Sequence, residues 1–273
     1  MIYQNIQLWA EHPECVLRTY VCDEYLAKGA PLRKAMIICP GGGYEFLSER
    51  ESEPIARKYL AAGMNVFVLY YSVGDGAKDM VPLIELSMAI THVRENSERY
   101  NIDPERVFVT GFSAGGHLAA SSATLWNHRR VRKTLGIDKG KRAEGINRPT
   151  GTVLCYPVIS AGEFAHKPSI DRLCGNVNAT PEERAIFSLE KQVSSQTSPA
   201  FIWHTFADRL VSVQNTILYV EALVKNKVPV EAHIFPYGSH GLSLGTWEIG
   251  SVNEHIQCWI ELAVKWIFDF DKI

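Results

Sequence analysis

One stretch constrains this chain more than any other: Val107-Phe108-Val109-Thr110-Gly111-Phe112-Ser113-Ala114-Gly115-Gly116-His117. An apolar, β-branched run stops at Gly-x-Ser-x-Gly, and the small-residue segment His117–Leu125 follows with a helical look. A serine in a sharp strand-to-helix turn stands above the end of its strand, and glycines on either side let helix and strand approach closely. The helix N-terminus beneath such a serine carries partial positive charge. The string alone is common. Its place between a buried-type strand and a helix makes it read as a turn that presents Ser113 rather than one that only packs.

The rest of the chain supplies a matching frame. Ala35–Cys39, Asn65–Tyr71, Arg106–Thr110, Thr152–Tyr156, Ala200–His204 and Glu231–Phe235 are short apolar runs, as expected of strands covered on both faces. Helical patterns separate them. Glu51–Ala62 ends at Gly63, Pro82–Arg99 carries Leu83, Leu86, Ile90 and Val93, and Val211–Asn226 and Val252–Phe270 follow later. Strand–helix alternation implies an α/β fold with a mostly parallel sheet and right-handed crossovers. Ahead of it, Ile2–Trp9 and Cys15–Cys22 alternate in polarity and read as an antiparallel hairpin with one wet face. Two stretches depart from the rhythm. His128–Arg148 is basic and reads as a solvated loop. Residues 159–199, with one helix near Pro181–Phe187, read as an insertion that folds over a sheet edge as a small cap. No repeat or linker interrupts the chain, so residues 1–273 are expected to form a single domain.

Further chemistry gathers at strand ends. Cys39-Pro40-Gly41-Gly42-Gly43-Tyr44 follows an early strand and leaves backbone N–H groups free to face a cavity. A phosphate cradle is the competing reading, but neither G-x-G-x-x-G nor G-x-x-x-x-G-K-[ST] occurs. With Ser113 downstream, Gly42, Gly43 and Ala114 are the expected oxyanion donors, and Tyr44 is expected to bind substrate. Asp208 follows the strand Ala200–His204, where α/β sheets collect functional groups. His240, in Gly238-Ser239-His240-Gly241-Leu242, follows the strand Glu231–Phe235. Ser113, Asp208 and His240 therefore stand in the chain order Ser…Asp…His. Of the nine histidines, His117 is set aside as turned into its helix, and His204 and His233 as packed within strands. No H-E-x-x-H or comparable spacing occurs, so neither a metal site nor a cofactor is expected.

Composition narrows the classes. There are 28 basic and 30 acidic residues, a balance that gives no footprint for nucleic acid or an anionic membrane. The six cysteines form no C-x-x-C pair and are expected to be free thiols. The first residues lack a basic, then apolar, leader, and no run reaches the roughly 18 apolar residues of a membrane span. A cytoplasmic setting is the expectation. The aromatic C-terminal helix leaves room for a homo-oligomer.

The glycine loop Cys39–Tyr44, the segment Ser48-Glu49-Arg50-Glu51-Ser52-Glu53, the turn Gly111–His117, Trp203-His204-Thr205 and His240-Gly241-Leu242 together resemble bacterial carboxylesterases. The resemblance is to the acetyl-xylan-esterase-like and hormone-sensitive-lipase-like branches of the α/β-hydrolase fold, and runs from about Ala35 to the C-terminal helix. It implies an eight-stranded sheet flanked by helices, a catalytic Ser113–His240–Asp208 set, and short acyl esters, including acetylated sugars or xylan fragments, as small-molecule substrates. Two departures stand out. Relatives often carry Ala-Asp-Asp where this chain has Phe206-Ala207-Asp208, and Pro40 replaces the histidine of His-Gly-Gly-Gly, which places the chain nearer the acetyl-esterase branch. The same residues fit an aryl-formamidase or small peptidase, because the chemistry is shared and specificity lives in the pocket. A non-catalytic receptor on this fold is disfavoured by the presence of serine, acid and histidine together. Tyr44, Phe46 and the Trp203–Phe206 stretch are expected either to narrow the acyl pocket or to pack in the core.

Overall fold

A computed structural model describes residues 1–22 and 31–272. Eight strands form one sheet: β1 (Asn5–Gln7), β2 (Val16–Tyr20), β3 (Arg33–Cys39), β4 (Asn65–Tyr70), β5 (Ile102–Phe112), β6 (Thr152–Cys155), β7 (Ala200–Thr205) and β8 (Val230–Phe235). Their spatial order is β1-β2-β4-β3-β5-β6-β7-β8. β2 is antiparallel to both β1 and β4, and every pairing from β4 through β3 to β8 is parallel. The expected hairpin and parallel sheet are both present, in the eight-stranded form that the resemblance implies.

Alternation along the strands builds two cores. Ala35, Ile37 and Cys39 of β3 face one side with Phe67 and Leu69 of β4, while Met36, Ile38, Val66 and Val68 face the other. Because both faces are covered, the strands carry apolar residues at nearly every position. The helices are α1 (Glu53–Ala61), α2 (Val81–Glu95), α3 (Ser97–Tyr100), α4 (Ala114–Thr124), α5 (Arg129–Leu135), α6 (Lys167–Cys174), α7 (Pro181–Arg184), α8 (Gln214–Lys225) and α9 (Trp259–Phe268). α2, α4 and α8 cover the first face, with Leu86, Ile90, Leu118, Tyr219 and Leu223 buried; α1 and α9 cover the second with Ile55, Tyr59, Trp259 and Trp266. Among the described residues no helix is long and apolar enough to cross a membrane.

Boundaries shift from the sequence reading where a local signal intervenes. The long helix expected over Pro82–Arg99 breaks at Asn96 into α2 and α3. The basic stretch after His128 is not wholly loop: α5 forms, its N-terminus capped by the His128 side chain. Part of its charge is paired: Arg130 with Asp79, Arg132 with Asp138 and Glu144, and Arg142 with Glu95. The segment 159–199 packs against α4 and α8. Buried Asn215 of α8 accepts from the N–H groups of Ile159 and Ser160 and donates to the Phe164 carbonyl. That anchorage carries α6 towards the C-terminal ends of the strands.

The strand order places one crevice in advance. After β3 the chain turns to β4 on one side, and after β5 it turns to β6 on the other. The ends of β3 and β5 lie side by side, with Cys39 opposite Gly111. A sheet of this kind opens a crevice at such a reversal, outside the carboxyl ends of the strands. The glycine loop and Ser113 both leave from that point.

Candidate active site

Ser113 holds a backbone conformation that side chains avoid, with φ 53° and ψ −117°. Strain of this kind persists only where the surroundings enforce it. Here the Ser113 N–H donates to the Cys155 carbonyl at 3.0 Å, and its own carbonyl accepts from the N–H groups of His117 and Val158 at 3.1 Å each. The neighbouring glycines are a steric requirement. A Cβ on Gly115 would lie 2.1 Å from the Cys39 carbonyl oxygen and 2.3 Å from that of Pro40; one on Gly111 would lie 2.1 Å from the Gly115 carbonyl oxygen. Gly-x-Ser-x-Gly is thus the sequence that allows α4 to start directly against the ends of β3 and β5.

Ser113 Oγ lies 2.8 Å from His240 Nε2, and His240 Nδ1 lies 2.6 Å from Asp208 Oδ2. The Asp208 side chain is fully buried, which would raise its pKa. Hydrogen bonds from His204 and His240, the His240 charge and the Val211 N–H outweigh burial and hold it well below the usual carboxylate range. An ionised carboxylate only accepts, so His240 Nδ1 carries a proton and Nε2 is left to accept from the Ser113 hydroxyl. The direction of the relay follows from the acid at its end. Asp208 Oδ1 accepts from the Leu210 and Val211 N–H groups at 2.9 and 3.0 Å, which fixes the carboxylate plane.

The N–H groups of Gly42, Gly43 and Ala114 donate to no acceptor among the described residues. Gly42 and Gly43 line the same cavity as Ser113 and His240, and Ala114 opens α4 directly after Ser113. Gly42 adopts φ 126°, and a Cβ there would lie 2.0 Å from the Phe46 carbonyl oxygen, so no other residue fits the loop.

Tyr44 corrects the sequence reading. It is 1% exposed and its ring is turned into the core, edge-on to Tyr71 and His117. Its hydroxyl donates to His117 Nδ1 at 2.9 Å, because His117 Nε2 donates to the obligate acceptor Phe187 O at 3.0 Å. Burial pushes the His117 pKa down to about 4, so the ring is a neutral partner. The left-handed backbone at Gly43 and Tyr44 aims the tyrosine away from the cavity, and Phe46, 61% exposed, faces it instead. Trp203 is likewise not a pocket residue: it is fully buried and stacks on Trp259 across the second core.

Two histidines escaped the sequence reading. His204 is fully buried, and its Nε2 lies 3.0 Å from the Val211 carbonyl and 3.2 Å from Asp208 Oδ2. A carbonyl can only accept, so Nε2 is the protonated nitrogen and donates to both, while Nδ1 accepts from the Thr216 hydroxyl at 2.8 Å. The signal was the spacing of four between His204 and Asp208 across a strand end. His166, at the start of α6, lines the cavity, with Nδ1 2.8 Å from Ser169 Oγ. Burial and the neighbouring His240 lower its pKa.

The cavity holds about 1020 Å³. Ser113, His240 and the glycine loop form its floor, while Arg50, Arg172 and Glu248 lie around its rim. Among the described residues no group of three or more His, Cys, Asp or Glu side chains is placed to hold a metal ion. The arrangement supplies a hydroxyl with a base, a base with an anchored acid, and backbone donors beside the hydroxyl.

Comparison with known proteins gives the family and the fold. The BD-FAE family profile matches residues 22–223. Endo-1,4-beta-xylanase B of Butyrivibrio fibrisolvens is 37% identical over 83% of this chain and 35% of that protein. The acetylxylan esterase of Xylanibacter ruminicola is 32% identical over 80% of this chain and 42% of that protein. The chain therefore spans well under half the length of these curated relatives. The crystal structure of an acetyl ester-xyloside bifunctional hydrolase from Caldicellulosiruptor lactoaceticus superposes with a TM-score of 0.82 at 35% identity, covering 99% of this chain and 97% of that one.

Proposed function

The chain belongs to the BD-FAE family on an α/β-hydrolase fold, and from that premise we propose that it is a serine carboxylesterase that removes short, acetyl-like acyl groups. The observation that carries this reading is the hydrogen-bonded series Ser113–His240–Asp208, at 2.8 and 2.6 Å, opening into a cavity beside unpaired backbone donors. Ser113 Oγ attacks the ester carbonyl carbon as His240 Nε2 takes its proton. The carbonyl electrons move onto oxygen, where Gly42, Gly43 and Ala114 N–H groups receive the charge, helped by the N-terminus of α4. Collapse breaks the bond to the alcohol, which leaves with the proton from His240, and Ser113 holds the acyl group. Water then repeats the sequence, releasing carboxylate and the free serine. Asp208 holds the imidazole tautomer and stabilises the imidazolium without taking its proton.

Acetylated sugars or xylan fragments are the substrates this reading favours. The cavity is far larger than an acetyl group, and its rim offers Arg50, Arg172, Glu248 and His166 to hydroxyl groups, with Phe46 as an apolar face. The names of the xylan-linked relatives point the same way. The test is a panel of p-nitrophenyl esters alongside acetylated xylo-oligosaccharide, an aryl formamide and a peptide. The rate is expected to fall from acetate to octanoate, with acetate released from the sugar. Preference for long chains, or turnover of the formamide or peptide alone, overturns the assignment.

A further inference from the structure

A buried carboxylate lies beneath this site with no part in the proton relay. Glu51 ends a short 3-10 turn, is 2% exposed, and sits against the cavity floor. Its Oε2 accepts from the Gly41 N–H at 2.8 Å, and its Oε1 lies 2.7 Å from the Tyr156 hydroxyl. That hydroxyl in turn lies 2.9 Å from the Ser243 N–H. Polarity fixes every proton in the chain. The Ser243 and Gly41 N–H groups can only donate, so Tyr156 accepts from Ser243 and donates to Glu51, and Glu51 accepts at both oxygens.

The ends of this chain are the two loops that the reaction needs at fixed spacing. Gly41 opens the Gly42–Gly43 loop and passes so close to the elbow that a Cβ on it would lie 3.1 Å from Ser113 Cβ and 2.6 Å from Glu51 Oε2. Ser243 closes the His240 loop. It is fully buried and held three ways: by Tyr156, by its own hydroxyl donating to the Arg50 carbonyl at 2.6 Å, and by Trp259 Nε1 donating to its carbonyl at 2.9 Å. Tyr156 also packs its ring edge-on to His240, centroids 5.1 Å apart. Tyr156 and Ser243 both hold positive φ, 38° and 48°. Such strain in non-glycine residues costs on the order of 1–3 kcal/mol each and persists only where other contacts enforce it.

We propose that Glu51, bridged by Tyr156 to Ser243, is a positioning residue that holds the oxyanion loop and the His240 loop in register across Ser113. The proposal rests on the reading of Ser113 as nucleophile and of Gly42 and Gly43 as oxyanion donors. A clamp on those donors acts on charge that exists only in the transition state, so its loss lowers kcat and leaves KM.

Tyr156→Phe deletes one hydroxyl and keeps the ring on His240; Glu51→Gln cannot accept at both positions. Each is expected to lower kcat for p-nitrophenyl acetate by about 10- to 100-fold, less than the direct loss of an oxyanion donor, with KM little changed. Affinity for a trifluoromethyl ketone, which forms a tetrahedral oxyanion adduct with serine, is expected to fall in step with kcat. If the Gln variant does not fold, the Phe variant carries the same measurement. Unchanged kcat overturns the clamp, as does a kcat loss with undiminished ketone affinity. A wild-type protein that a fluorophosphonate does not label at Ser113 overturns the esterase reading instead.

Discussion

Replacing His204 by leucine isolates a contact that the serine–histidine–aspartate description leaves out. The substitution removes the donor that reaches Asp208 Oδ2 at 3.2 Å and strands two groups: the Val211 carbonyl, 3.0 Å from Nε2, and the Thr216 hydroxyl, 2.8 Å from Nδ1. His204 and Thr216 are fully buried, so water does not replace what is lost. A hydrogen bond to a charged group contributes about 1.5–3 kcal/mol, and a stranded buried polar group costs about 1–3 kcal/mol. The 3.2 Å bond is shared with the Val211 carbonyl and falls at the lower end. If about half of it is felt as misplacement of the acid at the transition state, kcat/KM falls by roughly 3-fold, taking about 1.4 kcal/mol per factor of ten. The pH profile gives the sharper readout. Without the His204 donor Asp208 loses one of the hydrogen bonds that hold its pKa down, so the carboxylate protonates more readily and the acid limb of kcat/KM moves to higher pH. His204→Gln, which can still donate, is expected to restore part of both effects. The assay is the pH dependence of kcat/KM on p-nitrophenyl acetate, with circular dichroism to establish folding. A folded leucine variant with an unmoved acid limb and full kcat/KM refutes the reasoning.

Gly115→Ala is expected to destabilise the fold by about 1–3 kcal/mol, the range for overpacking, and to abolish most activity. Its Cβ would meet two carbonyl oxygens within 2.3 Å, and only movement of the elbow relieves that; thermal melting checks it. His166→Leu is expected to raise KM for acetylated xylo-oligosaccharide while leaving p-nitrophenyl acetate unaffected, measured by steady-state kinetics. Asp208 has a folded pKa below its unfolded value, so its contribution is present above the unfolded pKa, about 3.9 for an aspartate, and is lost as pH falls through the folded value. Thermal midpoints across the acid range are accordingly expected to fall more steeply for the wild type than for Asp208→Asn.

The alternation of strands and helices, the turn at Ser113 and the candidates Asp208 and His240 were legible because each rests on local pattern. Strand ends, glycines and chain order carry them, and the sheet's reversal between β3 and β5 brings them together. The direction of a side chain inside a loop is another matter. Tyr44 follows two glycines with positive φ, 126° and 67°, and its own φ is 60°, so neither a period of two nor one of 3.6 tells which way it points. His204 reads as packing because a strand position of either facing is buried in this sheet; only the turn after β7 shows that it meets Asp208. Glu51 lies in the polar run Ser48–Glu53, where no apolar residue marks an inward face. Its burial comes from Tyr156, more than a hundred residues away in sequence.

The central claim is that Ser113 carries the acyl group, and the direct measurement is mass spectrometry of the protein quenched during turnover of p-nitrophenyl acetate. The account predicts an acetyl adduct on the peptide containing Ser113, lost in a folded and inactive Ser113→Ala variant. An adduct on another residue, or turnover that survives in Ser113→Ala, contradicts it.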